Sequence, residues 1–325
     1  MLAGAAALLV AAAVVVGITA TGSVTPRVRT RPPPGPTYRA PLVPATGAYL
    51  GAYVQPKVNT PQGAISALQS FEHELGGSFE VVHVYHPWGT VFPTSEDRYF
   101  VDRGKILLLT WGGEPNTLAI IAGKDDAMIR ARAEAVKALG HPILIEFRHE
   151  MDRPNLQGTI HGPADYIAAW DHIRAIFTAV GATNVGWVWC PTGYGFQVGR
   201  AQAFYPGDKE VDWVCADVYS PTPSQSLSDE ASAFLSWASH HDKPVIIGEF
   251  GTGGNPAKWA AWLKAAGTLA RTDHQIKALV YFDADSTDSN GQPYAYRLPA
   301  HSNALSAFAG LLRQPFFHPV PPNDP

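Results

Sequence analysis

Two glutamates stand where a carboxylate is costly. Glu150 ends the run Glu146-Phe-Arg-His-Glu150, and Glu249 lies within Ile247-Gly-Glu249-Phe-Gly251, each at the rim of an apolar, β-type stretch. A charge in such a place is expensive unless it is used or paired. A salt bridge, for example with Arg148, would account for one such glutamate; two at matching positions point to chemistry. Carboxyls about 5–5.5 Å apart can divide a reaction between them. One attacks an anomeric carbon, while the other protonates the leaving oxygen and later activates water. Like charges resist double ionisation, so Glu150 is expected to start protonated beside an ionised Glu249. Arg148 and His149 are expected to help keep Glu249 charged.

Something must bring the two glutamates together. β-rich runs occur at 48–54, 80–85, 105–110, 142–148, 184–190, 212–219, 244–250 and 277–282, and several are almost wholly apolar, as strands covered on both faces should be. Helical runs fill the gaps. Thr60-Pro61 opens one that Gly76-Gly77 ends, Asp125 opens one that Gly140 ends, and Pro163 opens one that Gly181 ends. Others lie at 228–240, 256–270 and 302–312, while the connections 95–104 and 199–204 are short and weak. Eight strand–helix units predict a (β/α)8 TIM barrel, an α/β fold with chemistry at the C-terminal strand ends. No GxGxxG follows the first strand and no GxxxxGK[ST] occurs, which counts against nucleotide-binding folds.

Phe-Arg-His-Glu-Met (147–151), Trp-Val-Trp-Cys-Pro (187–191), Tyr-Pro-Gly-Asp (205–208), Val-Asp-Trp (211–213), Asp217-Val-Tyr219 and Gly-Glu-Phe-Gly (248–251) occur in this order. Together they resemble glycoside hydrolase family 26, known for endo-β-1,4-mannanases and for enzymes of mixed-linkage β-glucan and β-1,3-xylan. The resemblance covers about Gly47 to Phe317. It implies a retaining endo-β-glycosidase acting by double displacement, with β-1,4-mannan as the leading substrate. It makes Glu150 the acid/base and Glu249 the nucleophile. It also places His149, Asp217 and Tyr219 around the −1 sugar, Tyr219 donating to the nucleophile. The chain departs from the pattern at Met151-Asp152-Arg153-Pro154, where Met-Asn-Gly is usual, and at Tyr281-Phe282-Asp283, where a tryptophan platform is common. The competing reading is a non-catalytic glycan-binding barrel.

Aromatic residues at the mouth are candidates for sugar stacking. Trp88, Trp111, Trp189 and Tyr85 are taken as substrate-binding, with core packing the alternative for the tryptophans. Trp187, Trp170, Trp237, Trp259 and Trp262 read as packing. His83 or His86 either lines the pocket or is an ordinary hydrogen-bonded histidine, and Asp283 reads as a loop cap. Cys190 and Cys215 fall on neighbouring strands. Parallel neighbours rarely offer disulfide geometry, so the reading inclines against a bond.

The chain has 325 residues, 46% hydrophobic and 16% charged, which suits one large buried core. A net charge of −4 counts against nucleic acid as partner. Two cysteines and no HExxH spacing leave no expected metal site, and no cofactor is implied. Leu2 to Ala20 carries no charge and reads as a signal anchor or signal peptide. Residues 21–44, rich in proline and arginine, read as a linker, 45–318 as the catalytic domain and 319–325 as a disordered tail. The expected protein is therefore a monomer, secreted or membrane-anchored, touching the membrane only through its N-terminal segment. Its expected partner is a polysaccharide.

Overall fold

The computed structural model describes residues 40–287 and 293–320. Eight parallel strands close into a barrel in sequence order: β1 Tyr49–Val54, β2 Val81–Pro87, β3 Ile106–Gly112, β4 Ile143–Phe147, β5 Val185–Trp189, β6 Trp213–Ser220, β7 Val245–Thr252 and β8 Ile276–Asp283. Every expected strand is present. The helices obey their punctuation too. In Pro61–Leu75, Thr60 Oγ1 accepts from Gly63 N at 3.1 Å, and left-handed Gly76 ends the helix. One weak connection proves to be a helix, Ser95–Val101, fixed by a capping box in which Thr94 and Asp97 bond each other's backbone N–H.

Side chains alternate between two environments. Those facing outward pack against the helices, while Tyr49, Val81, Leu108, Leu144, Val188, Trp213, Ile246 and Val280 fill the barrel interior. Leu42 joins that interior group, and Trp213 Nε1 donates to Pro41 O at 2.9 Å. A Cβ at Gly186 would lie 2.9 Å from Pro41 Cγ and 2.7 Å from Leu144 Cδ2, so only glycine leaves room for this seal. The expected linker therefore ends before Pro44: by residue 40 the chain already belongs to the barrel. The rest of that linker, the apolar run 2–20 and tail residues 321–325 lie outside the described residues. Among the described residues no helix is long and apolar enough to cross a membrane.

Two local distortions aim the rim residues. Ala216 pairs with Ile247 but Asp217 pairs with Glu249, so Gly248 is an extra residue in β7. Ile246 faces inward, and strict alternation would turn Glu249 outward; the bulge turns it back towards the mouth. A Cβ at position 248 would sit 2.5 Å from Cys215 Sγ and 2.9 Å from Asp217 Oδ1, which excludes every other residue. After β4, Arg148 and Glu150 adopt positive φ (50° and 53°), a conformation costly for side chains other than glycine. Arg148 N then bonds Trp111 O at 2.9 Å and Glu150 N bonds Cys190 O at 2.7 Å.

If Leu42 plugs the barrel, Leu42→Ala should lower stability by about 2–3 kcal/mol in denaturant melts. Removal of residues 1–39 should leave the midpoint unchanged.

Candidate active site

A cleft of about 900 Å³ opens at the C-terminal ends of the strands, and both Glu150 and Glu249 line it. Glu249 is buried. Tyr85 of β2 donates to its Oε1 at 2.5 Å, and Tyr219 of β6 donates to its Oε2. Both phenols are held well above their ordinary pKa by burial and by the charge of Glu249, so they remain donors. His149 Nε2 lies 3.9 Å from Glu249 Oε1. Burial lowers the His149 pKa to about 3, which leaves that ring neutral.

The carboxyl that resists ionisation is that of Glu249, pushed up to about 7 by burial and by the charge of Glu150. This runs against the expectation of a readily ionised Glu249. Glu150 instead accepts from Arg153 Nη1 at 2.6 Å. Arg148 does not face Glu249; its Nη1 donates to His149 O at 3.1 Å. Interaction with His83 and the hydrogen bonds from Tyr219 and Tyr85 favour a charged Glu249.

Tyr85, His149 and Tyr219 line the cleft. Asp217 lies beneath it, buried, its carboxyl pushed far up by burial and by Glu249, with Oδ2 lacking a hydrogen-bond partner among the described residues. The three tryptophans do not line the cleft. Trp111 and Trp189 point outward between strands and helices, because the inward positions beside them belong to Thr110 and Cys190. Trp111 stacks on half-buried Trp88 with centroids 4.2 Å apart, and Trp189 packs against Phe196, Tyr205 and Trp237. Asp283 does cap a loop, accepting from Leu298 N at 2.8 Å. Cys190 and Cys215 form a disulfide, S–S 2.10 Å, contrary to the inclination from sequence.

Sequence reasoning passed over several cleft residues. Tyr53 and Phe282 stack with centroids 5.2 Å apart, and Phe282 stands where a strand-eight tryptophan was sought. Tyr294 and Tyr296 stack in parallel on the far side of a hairpin, Asp285–Thr287 paired with Pro293–Ala295. Inward alternation on β1 and β8 could have found the first pair. Nothing in the pattern announces the hairpin. The departure after Met151 has a structural half and a chemical half. Asp152 is buried and accepts from Thr192 N and Oγ1 at 2.8 and 2.6 Å, while Arg153 pairs with Glu150.

Three groups of described residues bring ligand-type atoms within 4.8 Å of one another, and none suits a metal ion. In one, the sulfurs of Cys190 and Cys215 are already bonded to each other. In another, His86 Nε2 and Asp97 are engaged with each other and with the Thr94 cap. In the third, His149, Asp217 and Glu249, both Glu249 oxygens accept from phenols and burial opposes ionisation of Asp217.

Barrel and site together define a (β/α)8 scaffold whose cleft is lined by Glu249 of β7 and by Glu150, just past the end of β4. The comparisons bear on the fold, which this chain shares with solved structures of glycoside hydrolase family 26. A family 26 β-mannanase from Bacteroides ovatus superposes with a TM-score of 0.62 at 14% identity, covering 84% of this chain and 90% of that one. Endoglucanase H of Acetivibrio thermocellus is 31% identical over 292 residues, 81% of this chain and 31% of that protein. The β-1,3-xylanase TXYA of a Vibrio species is 29% identical over 130 residues, 38% of this chain and 25% of the xylanase. The chain thus spans between a quarter and a third of these two relatives. No protein-family model matches it.

Burying Glu249 should be measurable as lost stability. A carboxyl raised from 4.5 to about 7 binds its proton more tightly in the folded state. Folding stability should therefore fall as pH rises between those values and stay lowered above them. Glu249→Gln should be more stable than the parent by on the order of 1–3 kcal/mol at pH 8 and indistinguishable near pH 4, in urea melts at the two pH values.

Proposed function

We propose that the protein is a family 26 glycoside hydrolase, a retaining endo-β-glycanase acting on β-linked polysaccharide. The observation that carries this reading is the Glu249 carboxylate, gripped by two phenols and facing the same cleft as Glu150. In the first step Glu249 attacks the anomeric carbon while Glu150 passes its proton to the leaving oxygen. Arg153, partly exposed, must release Glu150 for this step. In the second step Glu150 takes a proton from water, and the water displaces Glu249 with net retention. Tyr85 and Tyr219 fix the carboxylate along the line of attack.

The cleft suits a neutral polymer. Its walls offer stacked rings at Tyr53, Phe282, Tyr294 and Tyr296, and exposed Tyr194 stands near Arg200 on the acid/base side. β-1,4-Mannan leads, with mixed-linkage β-glucan and β-1,3-xylan beside it; the relatives are named mannanase, endoglucanase and β-1,3-xylanase. We place the enzyme's work outside the cytoplasm, secreted or anchored through its N-terminal segment. Support comes from the polymeric substrate and from the Cys190–Cys215 disulfide, a bond favoured in oxidising compartments.

Reducing-sugar release from a panel of mannan, lichenan, β-1,3-xylan and cellulose tests the reading. The parent should hydrolyse at least one. Glu249→Ala and Glu150→Ala should each lose on the order of 10³-fold or more in kcat on natural polymer, with unchanged circular dichroism. Glycan binding by the parent without hydrolysis would instead establish a binding barrel.

A further inference from the structure

Below the nucleophile lies a chain of buried polar groups that the double displacement does not use. Tyr85 donates its single proton to Glu249 Oε1. Its oxygen also stands 3.3 Å from His83 Nδ1, so towards that nitrogen it can only accept. On the other side of the ring, His83 Nε2 is 2.7 Å from Thr110 Oγ1. Thr110 donates its one proton to Glu146 Oε2 at 2.5 Å, so towards His83 it too can only accept. Both contacts are made together only if both ring nitrogens carry protons. Glu146 Oε2, 3.5 Å from His83 Nε2, supplies the counter-charge.

His83, Thr110 and Glu146 are buried, on β2, β3 and β4. A carboxylate there is costly without a partner, and none of the steps assigned to Glu150 and Glu249 needs one. Burial opposes ionisation of Glu146, but hydrogen bonding to and electrostatic interaction with His83, helped by His149 and by the hydrogen bond from Thr110, outweigh it and hold its pKa below the ordinary value.

We propose that Glu146 is a positioning residue that holds His83 as an imidazolium, and that this buried cation, acting through Tyr85, keeps Glu249 ionised for attack. The inference rests on the hydrolase reading for its purpose, though not for its proton count. Other groups also face the nucleophile: Tyr53 from β1, His149, Glu150 and Arg153 from β4 and its following loop, and Asp217 and Tyr219 from β6. Asp217 and Tyr166 face Glu146. His149 is neutral and Arg153 is bound to Glu150, which leaves His83 as the cation beneath Tyr85.

Two readouts test this on the full chain. Nitrogen-15 NMR of the imidazole rings at pH 7.5, with His83 assigned by comparison with His83→Gln, should show both His83 nitrogens protonated. A ring with one protonated nitrogen would overturn the proposal whether or not the protein cleaves glycans. In Glu146→Gln, which keeps an oxygen for Thr110, His83 should lose one proton and the acid limb of kcat/KM should move up by about one pH unit. Well below the limb that is about a tenfold loss of kcat/KM. Loss of a negative charge acting through space alone would move the limb down, and a limb that moves down or stays in place overturns the relay. Thr110→Ser should keep the parent profile. If Glu146→Gln does not fold, Thr110→Val should raise the limb, and an unmoved limb there is equally fatal. A doubly protonated His83 in a protein that cleaves none of the panel glycans would support the relay while defeating the hydrolase reading.

Discussion

On the proposed mechanism a negative charge must be kept at Glu249, a buried carboxyl at the wall of the cleft. Burial and the neighbouring Glu150 both push a proton onto that carboxyl, and the proposed attack needs it bare. Much of the upper barrel answers this conflict. Tyr85 of β2 and Tyr219 of β6 supply two donors, and the bulge at Gly248 turns the carboxyl towards them. The disulfide and Asp217 occupy the space a side chain at 248 would need, so glycine, bulge and nucleophile orientation are one constraint.

The barrel interior is correspondingly split. Its lower part is hydrocarbon, from Tyr49 and Val81 through Leu144 and Trp213, and Leu42 closes it from the N-terminal side. Its upper part is a polar stack of His83, Thr110, Glu146 and Asp217 under the carboxyl pair. Apolar packing below gives the strands a rigid base, so a short hydrogen bond above can be held without the cost of ordering a loop around it. The acid/base side is less constrained. Glu150 sits in a left-handed backbone turn, and its partner Arg153 is partly exposed.

The eight strands were legible because their apolar runs are long and the helices between them carry strong stop signals such as Gly76, Gly140 and Gly181. Glu150 and Glu249 were legible because charges at the ends of such runs are rare. What escaped was parity. From the alternation in Trp187-Val-Trp189 alone, inside and outside cannot be told apart, and Trp189 was assigned to the wrong side; Cys190 holds the inward place. Glu249 reaches the mouth only through a bulge, which a count of twos along β7 would not reveal. His83 and Glu146 lay hidden for a related reason: a polar residue inside an apolar strand declares burial, but its partners come from strands distant in sequence. Pro41 and Leu42 were assigned to a linker because proline-rich composition does not show where a segment docks.

Trapping the covalent intermediate with an activated 2-deoxy-2-fluoro-β-glycoside of the preferred sugar, followed by peptide mass spectrometry, tests the assignment of the nucleophile most directly. The peptide containing Glu249 should gain the mass of one fluorosugar, and the label should be absent from every other peptide. A label on Glu150 or on any other residue, or turnover of the same substrate with inversion at the anomeric carbon, would contradict Glu249 as nucleophile.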